Sequence, residues 1–130
     1  MQRRCFITIF VLSFFLSLPA IGIAGEHLDL CDEIGAFSID LRRVGEPVKR
    51  DEYQPEEVVK ACGAALEREP NNPRFHFQLG MAFMALRDVD NAIRHLTIAT
   101  EHDYIAALAV LDHLYRKAAA LNAEQQRPPD

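Results

Sequence analysis

From Pro55 onward the apolar residues fall on helical spacings; before it they do not. Val58, Cys62, Ala65 and Leu66 recur at intervals of four, three and one, which sets them in one stripe along a helix. Pro55 suits a first helical position, where its missing N–H has no partner, and Glu56 and Glu57 favour the positive end of the helix dipole. Pro70 stops this helix, because the residue before a proline avoids helical angles. Asn71 and Asn72 turn the chain, with Asn72 as N-cap and Pro73 opening a second helix to about Leu86. Phe75, Leu79, Ala82, Phe83 and Leu86 line one face of it. Gly80 lies inside, at a cost of roughly 1 kcal/mol against alanine, which implies close contact with a neighbouring helix.

The stretch Arg87–Asp90 interrupts the pattern, with Asp88 placed to cap a third helix that runs to about His102. Ala92, Ile93, Leu96 and Ala99 give that helix a narrow seam. Asp103 then stands where a left-handed cap residue is expected. A fourth helix is predicted over Ile105–Asn122, with Leu108, Leu111, Leu114, Tyr115 and Ala118 inward. The tail 123–130 is polar, ends in prolines and is expected to fray. Short turns between these helices predict antiparallel pairs in an all-α domain over 54–122.

Residues 25–53 have no sustained periodicity and are punctuated by Gly35, Gly45 and Pro47. They predict an irregular lead-in with a short helical turn near Cys31. The segment is long for a structureless loop, so a tether through Cys31 would explain how it stays ordered. Ahead of it, Arg3 and Arg4 precede an apolar run from Cys5 to Leu18, followed by Pro19 and the small residues of Gly22–Ala24. This is the pattern of a secretory signal peptide over 1–24, cleaved after Ala24, with a retained membrane anchor as the alternative. Cys5 is misplaced for a lipoprotein cysteine, which would begin the mature chain.

The whole sequence carries a net charge of −5, and the predicted signal contains two arginines and no acid, so the remainder is more acidic still. Such a surface disfavours nucleic acid and anionic membranes. Two cysteines remain, Cys31 and Cys62. An even pair in an exported chain predicts a disulfide; two separate buried thiols are the alternative. A metal site is disfavoured, since no CxxC or HxxxH accompanies them. A bridge would contribute about 3 kcal/mol in a chain-entropy picture, a large share for one small domain.

The segment "EPNNPRFHFQLGMAFMALRDVDNAIRHLTIAT" resembles a tetratricopeptide repeat. Leu79, Gly80 and Phe83 match its first helix, and Ala92, Leu96 and Ala99 the small, bulky, small series of its second. Pro70 matches the proline closing the preceding repeat, and Val58, Cys62 and Ala65 occupy that repeat's second helix. Beyond Ala99 the chain is similar to a Sel1-type junction, with Leu111 and Tyr115 matching and Asp103 and Asp112 where glycines are usual. The resemblance, of the exported bacterial Sel1-like kind, covers Gln54–Ala118. It implies a short right-handed superhelical stack, one full repeat between two partial ones, for which a disulfide is a sensible staple. It also implies a concave face that binds a protein or peptide, carried here by Arg74, Phe77, Met81 and Met84 with Gln78 beside them. The alternative for Met81 and Met84 is that they only cover the next helix.

Nothing catalytic stands out: there is no GxSxG, no P-loop and no local cysteine–histidine signature. His76, His95, His102 and His113 are spread over three helices without a zinc-binding spacing; His76 falls where partial burial is expected. "DEYQPEE" lacks the alternating oxygens of a calcium loop. The favoured function is therefore a non-enzymatic scaffold or adaptor of the periplasm or secreted space, with no cofactor. A small exported redox or hydrolytic protein using Cys31 and Cys62 is the alternative, and stacking of open ends into a homo-oligomer a further possibility.

Overall fold

A computed structural model describes residues 28–127; the predicted signal peptide and the last three residues lie outside this range. The described residues form five helices and no strand: α1 (Leu30–Gly35), α2 (Pro55–Arg68), α3 (Pro73–Ala85), α4 (Val89–Glu101) and α5 (Ile105–Gln125). Each of α2 to α4 packs on the next, while α1 lies against both α2 and α3. The short turn expected near Cys31 is α1, capped by the Asp29 side chain, which accepts from the Cys31 N–H. At the far end α5 runs three residues past its expected limit.

The predicted start signals operate as local chemistry. The Asn72 side chain accepts from the Arg74 N–H and that of Asp88 from the Asn91 N–H, satisfying donors that the first helical turns leave open. Helices α3 and α4 end alike. The Asp88 N–H reaches the Phe83 carbonyl and the Arg87 N–H that of Met84; in the same way Tyr104 reaches Ala99, and Asp103 reaches Thr100. This paired closure needs a left-handed residue after the helix, and Arg87 (φ 62°) and Asp103 (φ 58°) supply it without glycine.

Helix α3 is central, buried continuously from Phe75 to Gly80 because it is covered on every side. Phe75, Leu79 and Ala82 join Val58, Cys62 and Ala65 of α2 and Cys31 of α1 in one core cluster. Phe77 joins Leu96, Ala99, Tyr104, Ala107 and Leu111 in the other. Between α3 and α4, a Cβ on Gly80 would lie 2.8 Å from Leu96 Cγ, so the glycine permits the close approach its position implied.

One expected face is corrected. Leu111 is buried and Leu114 packs against the second cluster, but Leu108, Tyr115 and Ala118 point outward. Helix α5 carries two apolar stripes, and only the one containing Ala107, Leu111 and Leu114 meets α4 and α3.

Candidate functional site

The lead-in occupies the side of α3 on which a free concave face was expected. Cys31 and Cys62, both inaccessible to solvent, have their sulfurs at bonding distance, 2.01 Å, and so fasten α1 to α2. Next to that link Asp32, only 2 % exposed, takes both Arg74 Nε (2.5 Å) and Nη2 (2.9 Å), while Gln78 Nε2 donates to the same carboxylate at 3.0 Å. A forked guanidinium–carboxylate contact of this kind is strong and directional. It raises the pKa of Arg74, chiefly through the Asp32 hydrogen bond, against the opposing effect of burial. Gln78 Oε1 sits 2.7 Å from Cys31 Sγ; an oxidised sulfur has no proton to donate, so this is packing.

Beyond α1 the chain folds over α3 toward the start of α5. Gly45 passes so close to α1 that a Cβ there would be 2.2 Å from the Asp32 carbonyl oxygen, and the Val48 N–H donates to the Ala36 carbonyl at 2.9 Å. Buried Asp40 accepts the Tyr104 hydroxyl at 2.6 Å, and Arg42 lies over the Tyr104 ring, 4.8 Å from its centroid. Burial, followed by the bond to Asp40, pushes the Tyr104 hydroxyl pKa far up. Phe37 meets Phe77 edge-on at 6.5 Å, with Tyr104 on the other side of Phe77 at 5.4 Å.

The five residues expected to bind a partner are thus divided. Phe77 and Gln78 are fully buried, one in the aromatic core and one on Asp32, and offer no surface. Arg74 is committed to Asp32. Met81 and Met84 are half-buried and line a recess between α3 and the lead-in. Exposed apolar side chains lie instead on the outer stripe of α5, at Ile105 (74 %), Leu108 (54 %) and Tyr115 (58 %), and on the lead-in itself, at Ile39, Leu41 and Val44. The stripe was visible in the sequence, but the side it faced was not.

The structure also joins two histidines that spacing left apart. His76, more deeply buried than the partial burial expected, meets the Pro70 carbonyl through Nε2 at 2.8 Å and His95 Nδ1 through its own Nδ1 at 3.0 Å. The rings stack at 5.2 Å, with Phe83 on the other face of His95 at 5.6 Å. Burial first, then the neighbouring His76 and Arg94, lowers the His95 pKa to about 4. Among the described residues no group of three or more candidate ligands could hold a metal ion. The chain matches no protein-family model, and neither the curated proteins nor the solved structures contain a match.

Proposed function

We propose that the chain is a non-enzymatic interaction module, a short tetratricopeptide/Sel1-like stack that works in an exported, oxidising setting. The observation that carries this reading is the outer stripe of α5. It sets Ile105, Leu108 and Tyr115 in water on the last helix of a stack whose other helices are each covered by the next. Among the described residues nothing covers this apolar stripe, and a partner helix fits it. A second copy of the chain, stacking open end to open end, is the simplest such partner. The lead-in occupies the α3 face, so the docking surface lies at this end.

Two further observations favour this reading. Both sulfurs are shut away from solvent, which suits a staple and leaves a redox substrate no approach to the dithiol. No helix among the described residues is long and apolar enough to cross a membrane.

The test is a photo-crosslinking residue at position 108, expressed in an exporting host, with one at the exposed Lys60 of α2 as control. The proposal expects a discrete protein adduct from 108, to a second copy or to another protein, and none from 60. Equal yields from the two positions, or no adduct from either, would overturn it.

A further inference from the structure

The recess where Met81 and Met84 meet the lead-in has a volume of about 470 Å³, within the ~300–1,000 Å³ of small-molecule sites. Its walls are mostly apolar, from Phe37 and Val48 on the lead-in and Met81 and Met84 on α3. Thioether side chains are pliable and adapt to a flexible guest.

Arg50 and the small side chain of Ser38 break this apolar lining. Tyr53 lines the recess, and its hydroxyl is buried without a hydrogen-bond partner among the described residues. That hydroxyl is closed off from the recess as well as from solvent, so it offers a guest no contact. Arg50 is the only charged residue among those lining the recess, and it makes no ion pair among the described residues. Its neighbour Lys49 is neutralised by Glu52 at 3.1 Å. The turn that carries Arg50 is closed by the Glu52 N–H on the Lys49 carbonyl, and Tyr53 follows at once. Arg50 is therefore the one cation on a mostly apolar surface.

We propose that this recess binds a medium-chain monocarboxylate, its hydrocarbon chain along Met81, Met84, Val48 and Phe37 and its carboxylate on Arg50. An apolar lining selects the chain, and the single unpaired cation selects the sign of the head group. The site is independent of the α5 stripe, so either proposal can fail alone.

The sequence has three methionines, and two of them line the recess, so [13C-methyl]methionine reports on it almost exclusively. The probe is decanoate, titrated below its micellar concentration into the purified protein, with decanol and decyltrimethylammonium as comparisons. Decanoate should shift the Met81 and Met84 methyl signals saturably and bind at least tenfold more tightly than either comparison. Arg50→Gln, at an exposed position, should weaken decanoate about tenfold. Tyr53→Phe, which removes a hydroxyl no guest can reach, should leave decanoate affinity unchanged and the ligand-free protein at least as stable. Ala85→Trp, at the exposed rim, should abolish the shifts. No saturable shift, equal affinity for the three amphiphiles, or unchanged decanoate affinity in Arg50→Gln would overturn the proposal.

Discussion

The lead-in and the α3–α4 pair are both ordered, by different means. In α3 and α4 order is distributed: Leu79, Ala82, Leu96 and Ala99 are each one member of a repeating stripe. In residues 36–53 nothing repeats. The segment depends on a few single ties, each made once: the Cys31–Cys62 link at its start, the Asp32 cluster beside it, the close pass of Gly45 and the Asp40–Tyr104 bond. Periodic order tolerates the loss of one member, whereas a segment held by single ties fails where one is cut. The comparison also explains the filled α3 face. Gln78 is an ordinary outward position on a helix until a tethered segment is laid over it, whereas Phe77 is taken into the core by α4 and α5.

Breaking a tie should cost most at Asp32. Asp32→Ala leaves Arg74 and the buried Gln78 amide without their shared acceptor, and chemical denaturation should show a loss of about 3 kcal/mol. A comparable loss from an exposed acid such as Glu46→Ala would show that Asp32 has no special role. The matching test in the periodic region is Gly80→Ala. Overpacking against Leu96 costs about 1–3 kcal/mol, offset by about 1 from better helix propensity, for a net loss of up to about 2 kcal/mol. Combining it with Leu96→Ala should cost less than the sum of the two changes, because the second relieves the first; simple additivity would place the strain elsewhere.

A smaller effect should appear with pH. The folded-state pKa of His95 is about 4, below its ordinary value of 6.5, so the unfolded chain binds the extra proton first. The stabilisation linked to neutral His95 is complete above about pH 6.5 and is lost as pH falls toward 4. The ring keeps partial contact with water, so about 1 kcal/mol is expected after screening. His95→Gln should flatten that part of the stability profile; an unchanged slope between pH 6.5 and 4 would contradict the assignment. Smallest are the two left-handed caps. Arg87→Gly should stabilise by about 1 kcal/mol and Asp103→Gly by less, since aspartate tolerates that conformation better. Thermal unfolding of both variants checks the order.

Much of the stack was legible before the structure because its signals are local. Pro55, Pro73, Asn72 and Asp88 act within one helical turn, and Gly80 and Asp103 do what their positions implied. The candidate site was legible only in part. Met81 and Met84 do line a recess, but Gln78 is buried under a segment with no pattern to announce its path, and Phe77 is claimed by α4 and α5. Asp32 and Arg74 are far apart in sequence, as are His76 and His95, and spacing rules see only neighbours on one helix. Helix α5 misled for another reason: with two apolar stripes, only the placement of α4 decides which is buried.

The central claim is that the lead-in fills the α3 face and is held there by the Cys31–Cys62 tie. Amide hydrogen exchange with and without reductant tests it directly. The account predicts slow exchange at amides such as Val48 and Arg43 in the oxidised protein, and fast exchange across 36–53 after reduction while the α3 and α4 amides stay protected longer. Unchanged protection of 36–53 after complete reduction would contradict it.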